Sequence, residues 1–414
     1  MEDLVRLSIL STVVGAWLLG AAAAHAEVPT ITEPELVAAI QARDPRIARG
    51  AAEVSQAGAR AAAAAVRPNP SLSIDREEPF VDGGGLPTNY LRLIVPFDLS
   101  GRRGLGMAAA ERDVQAARHD VDRASFTIVL DGLRVFHDAA HARLQVDLLA
   151  AERESLVRAA QVVRARGKAG DASGYEVRRI ELELAAYDDL LATARLELQQ
   201  SRQRLATLAG RSELELDAAS SLPASGAVPA LDALLQGAVE ARGDHRAARL
   251  RIDASQRRMR AADRGWIPVP ALTAGAITTD LGDRTATGYV AGLLVTIPLF
   301  DHGQAEHAQA AADRQLAEAD ARWIATQVPA QIRAAYATLA ARTEQAGSVA
   351  ASQLDRLDAM IATAETAFRE GDASLVELLD AHRAARDVRL RALALRHAVA
   401  LARLDLELAL GHRL

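Results

Sequence analysis

The sequence predicts a mainly α-helical protein with a small β part, built from two copies of one structural unit. Three observations lead to this fold class. Landmarks recur about 200 residues apart, each copy contains one pair of short alternating strands, and a long helical pattern follows each pair. Only 3% of the 414 residues are aromatic, so the chain has little material for a thick core. Its abundant alanine, leucine and arginine instead favour long helices packed side by side.

Composition excludes several classes of function. The chain contains no cysteine, which rules out disulfide bonds, thiol nucleophiles and thiolate metal sites. Its formal net charge of −6 argues against a nucleic-acid-binding protein, because such proteins usually carry a basic face. We therefore expect no nucleic-acid partner.

The first 26 residues have the pattern of a secretory signal peptide. An apolar run ends in Ala24-His25-Ala26, which fits an A-x-A cleavage site and makes Glu27 the first residue of the mature chain. A membrane anchor is the alternative. Small residues crowd the end of the run and no basic flank follows it, so we favour a cleaved signal over residues 1–26.

The two copies are aligned by recurring landmarks. The sequence "GDAS" occurs at residues 170–173 and again at residues 371–374, and "LATLAG" and "LELALG" stand near the ends of the two copies. The spacing hardly drifts, which indicates duplication of a whole unit rather than a short solenoid repeat. The paired landmarks are Pro70 and Pro270, Gly101 and Gly303, Gly170 and Gly371, and Gly210 and Gly411.

The first copy is predicted to span residues 27–216. A helix over residues 33–66 ends at the proline-rich "RPNP", and a β-hairpin follows over residues 71–97. Residues 101–210 then form a long helical hairpin that reverses at "GKAGDASG". Its outgoing arm contains no proline and would reach roughly 100 Å as one helix. Residues 217–230 are the linker to the second copy.

The second copy is predicted to span residues 231–414 and to repeat this order. It has a helix over residues 231–265, a β-hairpin over residues 271–300 and a helical hairpin over residues 303–411. Pro329 lies inside the outgoing arm of that helical hairpin. We expect a kink or a local break there, because proline lacks the amide hydrogen that a helix interior needs.

The predicted strands alternate between an apolar and a polar face. Leu91, Leu93 and Val95 share one face of the first hairpin, whereas Tyr90 and Arg92 share the other. Two hairpins per chain cannot close a barrel, and an isolated hairpin is marginal in water. Several chains must therefore pool their strands, and three chains with four strands each would supply about twelve, within the range of membrane barrels. A soluble sheet is the alternative, although the rest of the chain offers no sheet to join.

Aromatic residues cluster in or beside the two hairpins. Aromatic side chains at strand ends are typical of the girdles that mark the two interfaces of a membrane barrel. We expect the following residues at the membrane interface: Phe80, Tyr90, Phe97, Tyr289 and Phe300.

No motif supports catalysis or a bound cofactor. His137 and His141 have a spacing that can bind zinc on a helix, but no H-E-x-x-H pattern accompanies them, so we interpret them as structural or surface residues. His302 and His307 follow the second hairpin, and two histidines alone do not make a metal site. The stretch "GRRGLG" lacks the lysine of a phosphate-binding loop. We therefore predict no enzyme, no cofactor and no resident metal.

Four segments of the chain carry a resemblance to a known family. They are "RPNPSLSI", "VPFDLSGRRG", "IPLFDHGQAEHAQAAADRQLAEAD" and the region that begins "GDASLVELLDAHRAARDVRL". Together they make the chain resemble the outer membrane efflux protein family, the TolC-like exit ducts of tripartite export pumps. "RPNPSLSIDREE" and "PFDLSGRRG" look most similar to the heavy-metal-efflux branch. The resemblance covers nearly the whole mature chain.

The resemblance implies a homotrimer in the bacterial outer membrane. Three chains would form a twelve-stranded outer-membrane β-barrel, surrounded by lipid, that continues into the periplasm as an α-helical barrel. The duct would passively conduct metal cations or small toxic compounds to the exterior, with a periplasmic adaptor and an inner-membrane RND-type transporter as partners. The alternative is a soluble periplasmic coiled-coil scaffold or adaptor. An adaptor would need compact β-rich modules on one helical hairpin, whereas this chain is a twofold repeat.

The resemblance also implies an entrance lined by acidic side chains at the periplasmic tips. The segment "VELLDA" matches the family pattern V-D-x-x-D-A, which assigns the entrance acids to Glu377 and Asp380, and the matching position of the first copy is Glu176. Positions three apart share a helix face, so a trimer would stack rings of carboxylates that concentrate cations. A solvated helix face is the alternative for all three residues.

The "GDAS" turns are the expected docking site for the adaptor. Relatives often carry a basic residue just after the tip glycine and a tyrosine near it, whereas this chain has Asp372 and Phe368 there. The contacts that hold the closed state must therefore differ, with Arg369, Arg178 and Arg179 as candidates. Plain turn chemistry is the alternative role for the turns. Their docking residues would be Gly170, Asp171, Ser173, Gly371, Asp372 and Ser374.

Overall fold

The computed structural model describes residues 28–79, 85–212, 215–219, 222, 228–349 and 354–414. The predicted signal segment and Phe80 lie outside these residues. The described chain is mainly helical with a small sheet, and it begins with the short strand β1 (Thr30–Ile31). None of the described helices is both long enough and apolar enough to cross a membrane.

The predicted helix over residues 33–66 is two helices, α1 (Glu33–Arg43) and α2 (Pro45–Ala65). The expectation of one helix is wrong at Asp44, whose carboxylate accepts a hydrogen bond from the Arg46 amide at 2.8 Å and caps α2. Proline follows at the first position of α2, where its missing amide hydrogen is tolerated, but it cannot extend α1.

The first copy continues with two strands and two long helices. Strands β2 (Ser71–Glu77) and β3 (Thr88–Pro96) form its hairpin. Helix α3 (Arg102–Ala169) has 68 residues, which is about 100 Å at 1.5 Å per residue. Helix α4 (Gly174–Leu208) returns along it.

A second, two-stranded sheet lies where a linker was expected. Strand β4 (Asp217–Ala218) occupies the first residues of the predicted linker and pairs in parallel with β1. The carboxylate of Asp217 is buried and accepts a hydrogen bond from the guanidinium of Arg202 at 2.6 Å. Strands of two residues are too short to leave a periodic pattern, so the sequence analysis did not find them.

The predicted helix over residues 231–265 is three helices, α5 (Leu231–Leu235), α6 (Ala238–Ala241) and α7 (Gly243–Ala262). Gly237 separates the first two, since its φ of +71° is a left-handed conformation that favours glycine. One continuous helix was therefore the wrong expectation for this segment.

The second hairpin consists of β5 (Pro270–Asp280) and β6 (Thr285–Val295). The predicted hairpin extended to residue 300, but residues 296–300 are not strand. Pro298 lies in this stretch and has no amide hydrogen to donate to a ladder, which explains the early end of β6.

The second helical hairpin consists of α8 (Gln304–Val349) and α9 (Asp355–Glu370) going out and α10 (Leu375–Leu410) returning. Helix α8 continues through Pro329, so the expected local break is absent. Val328 and Ile332 on either side are fully buried in a cluster that includes residues of α10, and this packing holds the helix despite the lost hydrogen bond.

The helices build a wall in two tiers. The upper tier, next to the sheet, contains α2, α3, α7 and α8, and the lower tier, toward the tips, contains α4, α3, α10, α8 and α9. The four main strands are antiparallel neighbours in the order β2-β3-β5-β6, and the helices that adjoin them pack in the matching order α2-α3-α7-α8. Further along, α3 packs between α4 and α10, and α10 packs on α8 and α9. Each tier is a single layer with two open edges. The largest apolar cluster lies between the tiers, where β1, β4 and α1 cover the middle of α3.

The four-stranded sheet has one mainly apolar face, whereas its opposite face is mixed, with polar side chains such as Arg92 on β3 and apolar ones such as Leu294 on β6. Strand pairing aligns Leu93 with Leu72 on one side and with Ala274 on the other, and that row ends at Ala291. The side chains of the mainly apolar face are exposed in the single chain. The face therefore needs an apolar environment from outside the chain. Its exposed large members are Leu72, Ile74, Leu91, Leu93, Val95, Leu272, Tyr289, Leu293 and Val295.

Candidate functional site at the helical tips

Two turns of the same design form the tips of the helical hairpins. Helix α3 ends at Gly170 with φ of +88°, and α9 ends at Gly371 with φ of +90°. At both sites a left-handed glycine lets the next amides hydrogen-bond to the last carbonyls of the helix. In both hairpins the next helix begins four residues after this glycine, so each hairpin reverses within one "GDAS" segment.

Capping boxes start both returning helices, and they use two of the three predicted entrance acids. The Glu176 carboxylate accepts hydrogen bonds from the Ser173 amide at 2.7 Å and hydroxyl at 3.0 Å. Glu377 accepts the same two bonds from Ser374, at 2.7 and 3.0 Å. These bonds lower the pKa of Glu377, which is ionised at neutral pH. Both carboxylates are thus oriented toward their own helix start.

Asp380, the third predicted entrance acid, keeps an exposed carboxylate. Its side chain is 65% exposed, and its nearest cation is the Arg383 guanidinium at 3.6 Å. Arg383 also donates two hydrogen bonds to the buried carboxylate of Glu183 on α4, one of them at 2.8 Å. The bond from Arg383 lowers the pKa of Glu183. Arg383 therefore joins the second copy to the first just above the exposed acid.

Further polar contacts lie about two to five turns from the tips, most of them between the two hairpins and one between α9 and α10 of the second hairpin. Arg389 on α10 forms ion pairs with Glu152 on α3 and with Asp358 on α9. The Ser155 hydroxyl on α3 donates to the Glu365 carboxylate on α9 at 3.0 Å. Between these contacts lies an apolar cluster made of Leu156, Ala160, Val163, Ile180, Tyr187, Phe368, Leu375, Leu378 and Leu379.

Two of the three arginines that the sequence suggested as closing contacts bond within their own helices, and Nε of the third, Arg179, is buried without a hydrogen-bond partner. Arg178 and Arg369 donate to acceptors in their own helices, including the Gly174 carbonyl at 3.3 Å and the Glu365 carbonyl at 3.3 Å. Arg166 makes a contact between the hairpins instead. Its guanidinium donates to the Arg369 carbonyl at 2.8 Å, and its carbon Cζ lies 5.0 Å from the centre of the Phe368 ring.

Comparisons with known proteins identify the family. The model described as "Outer membrane efflux protein" matches residues 234–412. The nickel and cobalt resistance protein CnrC of Cupriavidus metallidurans is 30% identical over 327 residues, which cover 76% of this chain and 74% of that protein. This chain belongs to the outer membrane efflux protein family.

Two further similarities agree with this membership. The nickel-cobalt-cadmium resistance protein NccC of Alcaligenes xylosoxydans xylosoxydans is 28% identical over 263 residues, 61% of this chain and 58% of that protein. The solved structure of the outer-membrane channel OprN has a TM-score of 0.75, covering 92% of this chain and 89% of its own at 21% identity, which shows the shared fold. The predicted family, and with it the fold and the role as an efflux duct, is confirmed.

As an outer membrane efflux protein, the chain lies in the bacterial outer membrane and extends into the periplasm. The soluble-scaffold alternative therefore loses its support. The exposed apolar face of the sheet has the character of a lipid-facing surface. Tyr289 and Phe300 are 89% and 90% exposed, and Phe97 is 38% exposed. Tyr90 lies on the opposite face of the sheet, where its hydroxyl donates to the Glu77 carboxylate at 3.0 Å, and its place at the membrane interface stays a prediction.

The histidines of this efflux protein form no metal centre in the described residues, where no group of three or more ligating side chains could hold a metal ion. The rings of His141 and His397 are stacked with centroids 4.5 Å apart, and His397 bonds to Asp138 at 2.8 Å. Burial lowers the pKa of His141 to about 4. Nε2 of His307 lies 3.4 Å from Oδ1 of Asp263. The structural or surface role of His137 and His141 stays a prediction.

The residues that join the tips were not predicted from the sequence. Arg383, Glu183, Arg166 and Glu365 come from helices far apart in sequence, and no local pattern marks them as partners. One signal was available. Glu183 and Arg383 are separated by 200 residues, almost the offset between the two copies, so the contact joins nearly equivalent positions.

Proposed function

We propose that three copies of this efflux protein assemble into one closed duct that conducts metal cations passively out of the periplasm. The observation that carries the proposal is that the sheet and the layer of helices that continues it both end in open edges. The sheet ends at β2 and β6, and the helices that continue it end at α2 and α8. Because the strands and the adjoining helices follow the same order, a neighbouring copy that closes the sheet would also close this layer of helices.

The strand directions support closure by identical copies. All neighbouring strands within the sheet are antiparallel, so β6 of one copy is antiparallel to β2 of the next. Four strands are too few for a barrel, and three copies supply about twelve. In the lower tier, α4 is an edge helix that exposes Leu182, Leu190 and Leu196, an apolar stripe that a neighbouring helix would cover.

We propose metal cations as the cargo. CnrC and NccC are by name resistance proteins for nickel and cobalt, and for cadmium in the case of NccC. Three copies of Asp380 and of Glu377 would gather six carboxylates near the periplasmic entrance, and rings of acids concentrate cations there. Glu176 would add its charge from the first copy.

We propose a periplasmic adaptor and an inner-membrane RND-type transporter as partners. The adaptor would dock on the exposed "GDAS" turns. These turns offer carboxylates, hydroxyls and free backbone groups but little apolar surface, so a docking partner would bind them through polar contacts. Energy would come from the transporter, because the described chain has no nucleotide-binding loop.

The test is cation selectivity in planar bilayers. We compare wild type with Asp380→Asn, and with the control Asp387→Asn two turns further along the same helix. The two carboxylates are matched, with side chains 65% and 66% exposed. A unit charge about 7 Å from an ion in water contributes about 0.6 kcal/mol, and the variant removes one such charge from each of three copies, so Asp380→Asn should lower the cation-to-anion permeability ratio about tenfold or more. The control should leave the ratio unchanged.

Glu377→Gln tests the second acid without removing the helix cap, because glutamine also completes a capping box. Equal ratios in all variants would refute the entrance assignment while keeping the duct. A detergent-solubilised protein that is monomeric and never conducts would refute the closed duct itself. Selective passage of uncharged toxic compounds with no preference for cations would refute the cargo.

A further inference from the structure

His382 is a fully buried histidine whose imidazole has no hydrogen-bond partner. It lies on α10, two turns above the tip, and is 1% exposed. Neither Nδ1 nor Nε2 has a hydrogen-bond partner. Buried polar atoms in folded proteins nearly always have one. The efflux role described above makes no use of this side chain.

Ionisable groups act on His382 from α3, from α9 and from its own helix. On α9, the Glu365 carboxylate lies 3.6 Å from Nε2 and already accepts the Ser155 hydroxyl of α3. Glu152 and Arg158 act on it from α3, and Arg389 acts from its own helix. A proton on the ring would therefore lie in a buried contact between three helices. The carboxylate of Glu365 is near it but does not accept a hydrogen bond from the ring.

Burial is the strongest influence on this ring. It lowers the pKa of His382, and the two arginines lower it further, whereas Glu365 and Glu152 raise it by less than burial lowers it. The imidazole is thus neutral in the packed tip at neutral pH. Its neutral form suits the apolar contact, and its charged form does not.

We propose that His382 is a proton-operated release for the tip, whose protonation separates α9 and α10 from α3 and so opens the periplasmic entrance. This inference rests on the proposed function, because it assigns a trigger to that duct. The proton comes from the periplasm, which the tip faces. When α9 separates from α3, the hydrogen bond from the Ser155 hydroxyl to the Glu365 carboxylate is lost.

The direction of the pH effect follows from linkage. An exposed histidine has its ordinary pKa of about 6.5, whereas the packed His382 has a lowered pKa. The packed tip is therefore fully favoured above the ordinary pKa and loses stability as pH falls below it, until the lowered pKa is reached. If the packed ring stays neutral, moving from pH 7.5 to pH 5.5 favours the opened tip roughly tenfold per protomer.

The test uses a single cysteine, which is unique because the natural chain has none. Ala385 is fully buried, one turn beyond His382 on the same face of α10, so Ala385→Cys reports when that face opens. Maleimide labelling of the trimer is measured at pH 7.5 and pH 5.5 in three backgrounds: wild type, His382→Leu and His382→Gln. Free cysteine labelled at the same two pH values corrects for the pH dependence of the thiol itself, and leucine at position 382 is the variant that cannot bind a proton.

We expect the corrected labelling to rise up to about tenfold at pH 5.5 in the wild-type background and to stay flat in both variants. His141→Leu serves as a matched control, because His141 is also largely buried with a lowered pKa but lies far from the tip, and it should keep the full rise. An equal rise with leucine at position 382 would overturn the proposal, as would a flat wild-type response. A pH-dependent tip in a protein that never conducts would refute the proposed duct and leave the release mechanism standing.

Discussion

At the scale of single residues, the tip depends on an ion pair between two copies of one unit. Arg383 and Glu183 come from the second and first copies, and the glutamate side chain is only 8% exposed. Removing one partner of a buried pair leaves the other charge poorly solvated, which costs more than the pair itself contributes. This pair therefore ties the hairpins together more firmly than the exposed pairs around it.

We predict that Glu183→Gln destabilises the tip by about 1–3 kcal/mol, a value reduced from that of a fully buried pair because the Arg383 side chain is 35% exposed. Hydrogen exchange of α10 measures this loss. Glu181→Gln is the control, since Glu181 is 49% exposed and its pair with Arg164 at 3.4 Å should contribute less than about 1 kcal/mol. Equal effects of the two variants would show that the pair has no special role.

The Arg383–Glu183 pair also makes the stability of the tip depend on pH. In this pair the charged form of Glu183 is the stabilising one, whereas for His382 it is the neutral form. The pKa of Glu183 is lowered in the folded chain, chiefly by the hydrogen bond from Arg383. Its stabilising contribution is therefore complete above the ordinary glutamate pKa and is lost as pH falls through the lowered value. That window lies below the one in which His382 acts, so the two effects are separable by titration.

The entrance residues show which features of the tip could be predicted from the sequence. The family pattern pointed to Glu377 and Asp380, but "SLVE" and "SGYE" also have the S-x-x-E spacing of a capping box. That signal explains the orientation of Glu377 and Glu176 in the structure. His382 gave no such signal, because its burial depends on side chains from α3 and α9.

At the scale of elements, the returning helices depend on their first residues. In each tip turn one serine accepts a hydrogen bond from the backbone of the glutamate three residues later, and the glutamate caps the serine in return. The two turns thus have equivalent geometry, even though they differ in the residues that follow. The capping boxes fix the residues at which α4 and α10 begin. They therefore also fix the position along the helix axis of every later contact that these helices make.

We predict that Ser374→Ala lowers the stability of the α9–α10 tip by about 1 kcal/mol, the usual cost of losing a helix cap. Faster hydrogen exchange in the first turn of α10 is the expected measurement. Thr193→Ala is a suitable control, because the Thr193 hydroxyl bonds only to the Asp189 carbonyl of its own helix at 3.0 Å. If both variants exchange alike, the cap does not set the start of the helix.

Sequence identified the long elements and missed the short ones for a physical reason. The hairpins and the arms of α3 and α10 have many periods of hydrophobic pattern. The breaks at Asp44 and Gly237 are decided by one or two residues, and they are flanked by alanine-rich sequence that suits helix on both sides. The pair β1–β4 depends on contacts between the two ends of the first copy.

At the scale of the whole molecule, the repeated unit explains the wall. Each copy adds two strands and two wall helices, and the second copy continues the layer begun by the first. The landmark spacing of the sequence revealed this duplication. The order of the strands in the sheet was not in the sequence, because it depends on how β3 meets β5.

We predict that Leu93→Arg prevents stable insertion into the outer membrane. An arginine on the lipid face of a membrane barrel costs about 2–4 kcal/mol per chain near the bilayer centre. Ile94→Arg is the control, since residue 94 is the next along β3 and points to the other face of the sheet. Membrane fractions and detergent-stable oligomers are assayed for both. Loss of both variants, or of neither, would contradict the assigned faces.

The junction between β3 and β5 also determines the order in which the molecule is made. Thr88 pairs with Thr279, so the first hairpin must wait for nearly half of the chain before its partner exists. At roughly 5–20 residues per second, synthesis of the intervening segment takes about 10–40 s. During that time β3 has a free edge, and the available partner of matching shape is the same hairpin of another nascent chain. Export that keeps nascent copies apart would therefore protect this protein from exchanging hairpins before its own second half arrives.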